Sequence, residues 1–357
     1  MLHPLLINGS FLMAKPTGVS TYTLNILPYL KPLVPTLLTA QSFPDYTCHF
    51  IPPGKTPEEG MKGHLSRLQW TQFQLPQIYK QQNANLLFSP LPEIPLFSDC
   101  RSVVMMHDLI PVRFPKRFSL LTPYYRYYIP SVLRQAEHII CNSVATAADI
   151  TNFLHISSHK ITPILLSHDT NHFQFLDLPT QNYFLYLGRC EPYKNLHRLI
   201  SAFASLPGHG EQELWLAGPI DRRYQPQLVR QITALNLSHH IKFLNYIPYT
   251  ELPKLLNQAI ALVFPSLWEG FGLPVLEAMA CGTSVITSNL ASMPEVAGDA
   301  ALLVDPYRVE SIADAMAQVA ADSQLRATLR QRGLARAQQF SWEKTGKATA
   351  EVLQRFM

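Results

Sequence analysis

The 357-residue chain is short of charge: 15% of its residues are Asp, Glu, Lys or Arg, against roughly 25% in an ordinary soluble domain. With 29 Lys and Arg against 25 Asp and Glu, the net charge of +4 is too small to mark a nucleic-acid binder. Cysteine is sparse as well. Cys48, Cys100, Cys141, Cys190 and Cys281 are odd in number, widely spaced and without a C-x-x-C pair. That excludes a disulfide framework and a structural zinc site, and it fits a reducing compartment. No apolar run approaches the ~18 residues of a membrane-spanning helix. The start, Met1–Ala14, has no basic n-region and is broken by Asn8-Gly9-Ser10, so it reads as a strand entering a loop rather than a signal peptide. No G-x-G-x-x-G opens either half, which argues against a dehydrogenase. There is no carboxylate D-x-D pair, no fixed-period repeat and no low-complexity tract.

What the chain has is apolar content, 47%, and proline, 29 residues. The length fits two domains, and the halves differ. Residues 1–175 hold 13 Lys and Arg against 9 Asp and Glu, and 18 of the prolines; residues 176–357 hold 16 of each sign. Short apolar runs alternate with longer helical patterns, as in a parallel sheet covered by helices. In the first half, Leu5–Ile7, Asn85–Ser89, Ser102–Met106, His138–Cys141 and Thr162–Leu166 read as strands. A polar stretch from His168 to Asn182 marks the boundary, giving domains 1–175 and 176–340. The second half reads as strands Tyr183–Leu187, Glu213–Ala217, Ile241–Phe243, Ala259–Phe264, Ser284–Thr287 and Ala301–Val304, interleaved with helices. The last helix, Ser341–Arg355 within 341–357, is expected to pack back on the first domain. The predicted class is α/β, two Rossmann-like doubly wound domains facing across a cleft, with ligands at the carboxyl ends of the strands.

Pro265 to Gly282 carries the most chemistry. An apolar strand ends before it, Gly270 and Gly272 bracket Phe271, and Pro274 sits where a first helical turn begins. Glycines let the backbone aim N–H groups at a ligand, and a helix start adds unpaired donors and partial positive charge. Together they suit a diphosphate. Pro274 has no N–H, so Gly272, Leu273 and Val275 are the expected donors. Glu269 and Glu277 frame the site, eight positions apart. One carboxylate suits the vicinal hydroxyls of a ribose and the other a sugar; Glu277 as a simple acidic residue in the first helical turn is the plainer alternative.

This segment resembles the E-x7-E signature of retaining, nucleotide-sugar-dependent glycosyltransferases of family 4, which have the GT-B fold. Gly282–Ser288, Met293–Pro306 and the strand-loop Tyr186-Leu187-Gly188-Arg189-Cys190-Glu191-Pro192-Tyr193-Lys194-Asn195 are similar too. The resemblance implies that Arg189 and Lys194, after the strand-end Gly188, neutralise the donor diphosphate, where fixed cations would lower the barrier to its departure. For each, a solvated surface charge is the bland alternative. In the first half, Gly18, in Pro16-Thr17-Gly18, matches a glycine loop near the donor phosphates or is a turn residue. His107-Asp108, directly after a strand, matches a His that faces the transferred sugar, or is a satisfied core histidine. Arg67-Leu68-Gln69-Trp70-Thr71-Gln72, Leu75-Pro76 and Ser89-Pro90 point to bacterial polysaccharide-building enzymes, often mannosyltransferases. Cys190, Tyr193 and Ser20 depart from the pattern.

The resemblance implies transfer of mannose or another hexose from a GDP- or UDP-linked donor to a hydroxyl of a glycan or lipid-linked acceptor. His107, Arg189, Lys194 and Glu269 would be the catalytic set, with no cofactor and no metal needed. A sugar-nucleotide epimerase of the same fold and a non-catalytic carbohydrate-assembly protein are the alternatives. The expected setting is cytoplasmic. The basic, aromatic run Arg113–Tyr128 raises peripheral contact with the inner face of a membrane, against the simpler reading of surface bases and packed tyrosines.

Overall fold

A computed structural model describes residues 4–13, 18–115, 121–207, 211–219, 221 and 223–357. The chain divides into two compact units: Met1–Leu166 with Trp342–Met357, and Ser167–Ser341.

Unit 1 is built on a seven-stranded sheet: β1 (Leu5–Asn8), β2 (Thr36–Thr39), β3 (Thr47–Phe50), β4 (Leu86–Ser89), β5 (Ser102–Met106), β6 (His138–Cys141) and β7 (Ile161–Pro163). The strand order is β3-β2-β1-β4-β5-β6-β7, and every pairing is parallel. Central strands of such a sheet are covered on both faces, so they read as continuous apolar runs. Leu5, Leu6 and Ile7 are fully buried, as are Val103, Val104 and Met105. β2 and β3 carry no such run: β2 follows Pro35, and β3 is an edge strand whose residues are half-buried or exposed. They were not legible as strands for that reason.

Unit 2 repeats the plan with six parallel strands: β8 (Tyr183–Leu187), β9 (Glu213–Ala217), β10 (Ile241–Asn245), β11 (Ala261–Phe264), β12 (Val285–Ser288) and β13 (Leu302–Val304). Their order is β10-β9-β8-β11-β12-β13. In each sheet the order reverses once, between β1 and β4 and between β8 and β11. That reversal opens a crevice at the strands' carboxyl ends.

The division falls at 166/167, ahead of the expected 175/176, because the polar stretch is tied into unit 2. The His172 ring stacks on Tyr249 with centroids 3.9 Å apart, and its Nε2 lies 2.7 Å from the Tyr249 carbonyl. Asn257 accepts from Leu176 N–H at 2.7 Å and donates to the Gln174 carbonyl at 2.9 Å. The closing helix, Trp342–Gln354, lies in unit 1 against Val19–Leu30. A Cβ on Gly346 would collide with the Tyr29 side chain, and Thr345 Oγ1 donates to the Leu165 carbonyl at 2.7 Å. With these bounds unit 1 holds 16 Lys and Arg against 10 Asp and Glu, and unit 2 holds 13 against 15.

Much of the basic, aromatic run of unit 1 turns inward. Arg113 forms a two-point pair with buried Asp149 at 2.8 and 2.6 Å. Tyr124 and Tyr128 stack within a π-helical turn, Tyr124–Tyr128. Tyr124 donates to the Glu93 carboxylate at 3.1 Å, and Tyr128 to the Ile94 carbonyl at 3.1 Å. Tyr127 stays exposed, while Lys116, Arg117 and Phe118 lie outside the described residues. Glu93 itself is buried and held by Arg67 in a fork, Nε to Oε2 at 2.7 Å and Nη2 to Oε1 at 2.9 Å. Arg67 from the Arg67–Gln72 motif therefore fixes the loop that follows β4. Glu93→Gln removes the counter-charge and leaves Arg67 buried. The expected cost is about 3–5 kcal/mol, read from the urea midpoint, and a loss below about 1 kcal/mol would show that the pair does not hold the loop.

Candidate functional site

In unit 2 the loops that follow β8 and β11 meet over the reversal of strand order. β8 runs into Gly188, the residue after it, whose φ of +149° lies outside the range that side-chain-bearing residues favour. The neighbouring Gly218, after β9, comes so close that a Cβ on it would strike the Gly188 carbonyl. Buried Tyr186 reaches past the turn and donates to the Arg189 carbonyl at 2.8 Å. The Arg189 side chain is exposed and has no partner among the described residues. A 3-10 turn, Pro192–Lys194, then brings Lys194 back over the sheet.

Lys194 Nζ donates to Glu269 Oε1 at 2.5 Å, and both side chains are about nine-tenths buried. The ammonium also lies 5.3 Å from the Tyr193 ring centre and 5.1 Å from that of Phe264. Bulky Tyr193 thus walls the ammonium, and its carbonyl accepts from Leu267 N–H at 2.8 Å. Cys190 is buried and its thiol is pushed up to about 11 by desolvation, so it is an inert filler.

The helix after the glycines is Leu273–Ala280, capped by Gly272 at φ +108°. A Cβ on Gly272 would run into Met293. Of the three expected donors, Val275 is already engaged: its N–H donates to the Gly272 carbonyl at 3.0 Å. The N–H groups of Gly272 and Leu273 have no acceptor among the described residues. Phe271 is buried, edge-on to Phe340 at 6.2 Å, and Gly270 is buried beside it. Ser292, which the sequence reading missed, places its Oγ 2.9 Å from the Glu269 carbonyl and 2.8 Å from that of Phe271. Nothing local marks such a serine in sequence, because its partners lie more than twenty positions away.

Glu277 falls in the second turn, not the first, because the helix starts one residue before Pro274 and carries no acidic residue in its first turn. It is therefore not a helix-start acid. Its carboxylate has no hydrogen-bond partner among the described residues, and desolvation pushes its pKa up to about 7. A half-buried acid without a partner costs the fold stability, as groups kept for a ligand do.

Gly18 and His107 belong to unit 1, at the carboxyl ends of strands. Gly18 has φ +49° before the helix Val19–Leu30, whereas Pro16 and Thr17 lie outside the described residues. His107 follows β5, its ring edge-on to Tyr22 at 5.2 Å, with Nε2 3.1 Å from the Pro90 carbonyl. Desolvation pushes it down to about 4, so the ring is neutral at pH 7. A carbonyl can only accept, so Nε2 carries the proton and Nδ1 is left as an acceptor. Asp108 accepts from Ile110 N–H at 2.9 Å and shapes the following turn. Among the described residues no group of three or more His, Cys, Asp or Glu could hold a metal ion, and no helix is long and apolar enough to cross a membrane.

Two family models match the chain in succession: Glycosyltransferase Family 4 over residues 16–172, and Glycosyl transferases group 1 over residues 167–336. The chain belongs to glycosyltransferase family 4. Among curated members of this family, the O-antigen chain mannosyltransferase B of Escherichia coli is 36% identical over 58% of this chain and 52% of its own length. The O-antigen chain mannosyltransferase RfbU of Salmonella typhimurium is 29% identical over 64% of this chain and 63% of its own. This family 4 chain thus spans about half to two thirds of the length of those relatives. Its fold is GT-B, as in the sucrose-phosphate synthase of Thermosynechococcus elongatus (TM-score 0.76, 18% identity, 99% and 98% of the two chains). HepE of Anabaena, solved with UDP-glucose, gives 0.74 at 19% identity over 99% of both chains.

Linkage gives the raised Glu277 a signature. Below about pH 4 both folded and unfolded carboxyls are protonated and the residue is neutral in its effect. As pH rises past the ordinary 4.5 the unfolded chain ionises first, and the fold loses stability until its own carboxyl ionises near 7. Glu277→Gln should therefore be more stable than wild type at about pH 8 and no different near pH 4. Thermal unfolding at the two pH values checks this, and a variant less stable at pH 8 would contradict it.

Proposed function

We propose that this family 4 chain transfers a sugar from a nucleoside diphosphate donor to a glycan or lipid-linked hydroxyl, with retained anomeric configuration. The observation that carries the reading is the convergence, at one strand-order reversal, of the buried Lys194–Glu269 pair, the unengaged N–H groups of Gly272 and Leu273 and the unpartnered Glu277 carboxylate. The N–H groups and Lys194 take the diphosphate, with Arg189 closing on it from the exposed side. Glu277 accepts the ribose hydroxyls. Glu269, at the far end of the phosphates, accepts hydroxyls of the sugar.

As the glycosidic bond breaks, charge builds on the β-phosphate, and Lys194, Arg189 and the helix terminus stabilise it. The departing phosphate takes the acceptor proton on the same face, which retains configuration without a protein nucleophile. The protein supplies positioning and charge. His107 offers the neutral Nδ1 to a sugar hydroxyl. The donor sugar is mannose, on GDP; the names of the O-antigen mannosyltransferase relatives support mannose, as does the Arg67–Gln72 motif.

A panel of GDP- and UDP-sugars screened by thermal shift, followed by turnover with the stabilising donor, tests the assignment. GDP-mannose is expected to stabilise most. Lys194→Ala should lower turnover by about a hundredfold or more, and Glu277→Ala should weaken donor binding about tenfold. Wild-type turnover in both variants would overturn the reading.

A further inference from the structure

Asn195, next to Lys194, is used in a way its position does not announce. An Asn ahead of a helix ordinarily caps it, in extended backbone, its side chain accepting from the first turn. Asn195 does neither. Its φ is +67°, in the left-handed region, and it makes no side-chain cap to the helix Leu196–Ala204. It is fully buried. Its Nδ2 donates to the Pro265 carbonyl at 3.0 Å and to the Pro306 carbonyl at 2.6 Å, while its Oδ1 accepts from Arg198 Nη1 at 2.9 Å. Two carbonyls on one side and a guanidinium on the other fix which amide atom is which.

The two bonds from Nδ2 join three strand-end loops, while Arg198, on the helix that follows, holds the amide in place. Asn195 ends the loop after β8, Pro265 opens the loop after β11, and Pro306 lies in the loop after β13. Ser292, beyond β12, engages the carbonyls of Glu269 and Phe271 at the other end of the β11 loop. An anion-binding loop contains as many carbonyls as N–H groups, and a carbonyl facing a phosphate repels it. Side-chain donors that engage the carbonyls of residues 265, 269 and 271 leave the N–H groups of Gly272 and Leu273 unengaged.

We propose that Asn195 is a positioning residue that sets where Lys194 stands against Glu269, and hence against the donor diphosphate, by locking these three loops together. This rests on the glycosyltransferase reading for the donor, but not for the placement of Lys194. Asn is suited to the position on two counts. It tolerates the left-handed backbone, and it offers two donors on one nitrogen. Aspartate has the same shape but would set a carboxylate oxygen against two carbonyls.

The test uses the full chain with Asn195→Asp and Asn195→Gly; glycine keeps the backbone and removes only the side-chain bonds. Acylation of the Lys194 amine, followed by mass spectrometry, needs no donor. Both variants should label at Lys194 about tenfold faster than wild type or more, the order expected from losing buried hydrogen bonds, with the other lysines unchanged. Binding of GDP and UDP, measured by calorimetry, should weaken by a similar factor, and kcat should fall more than KM rises. Should Asn195→Asp fail to fold, Asn195→Gly gives the same readings. Unchanged Lys194 labelling in a folded variant overturns the proposal. A wild type that binds neither nucleotide overturns the donor reading instead, and the labelling still decides the role of Asn195.

Discussion

A diphosphate can be held by a protein loop only if N–H groups and cations converge on it while the carbonyls of the same loop are turned elsewhere. Unit 2 meets that constraint at the reversal between β8 and β11. The glycine conformations at Gly188 and Gly272, the short helix start at Leu273 and the side-chain bonds to loop carbonyls all serve it. The Lys194–Glu269 pair is its electrostatic centre. Buried side by side, each charge makes the other tolerable. On the function we propose, an arriving donor exchanges one partner for another, Lys194 turning to phosphate and Glu269 to hydroxyls.

Unit 1 is built to the same parallel-sheet plan. Its polar investment is a buried fork, Arg67 on Glu93, which holds the loop after β4. From that loop the Pro90 carbonyl sets the tautomer of His107. The first half's positive charge also gains a sharper boundary: with the closing helix included, the excess belongs to unit 1, and unit 2 is slightly acidic apart from its local cations. Arg113 is neutralised by Asp149, a pair that removes one charge of each sign and leaves the excess unchanged.

What could be read in sequence followed from burial. Strands covered on both faces, such as Leu5–Ile7 and Tyr183–Leu187, declare themselves as apolar runs. The Glu269–Glu277 spacing with its glycines marks the loop after β11, for which we propose the donor. β2 and the exposed edge strand β3 do not declare themselves: β2 has only Leu37 and Leu38 between threonines, and β3, half-buried or exposed throughout, has no apolar run. The polar 168–176 segment reads as a linker because its partners, Tyr249 and Asn257, lie about eighty positions away. Asn195 and Ser292 were hidden for the same reason: each looks like a local cap or turn residue, and each is used across the fold. Val275 was expected as an anion donor, but the turn at Gly272 takes its N–H for itself.

The central claim is that the unit 2 strand ends recognise a diphosphate, and the most direct measurement is a pair of calorimetric titrations of the intact chain. GDP and UDP are compared with guanosine and uridine, which keep base and ribose and lack the phosphates. With Lys194, Arg189 and two N–H groups engaged, charge-assisted bonds of roughly 1.5–3 kcal/mol each should make a diphosphate bind at least about a hundredfold tighter than its nucleoside. Equal affinities would contradict a diphosphate site at these loops.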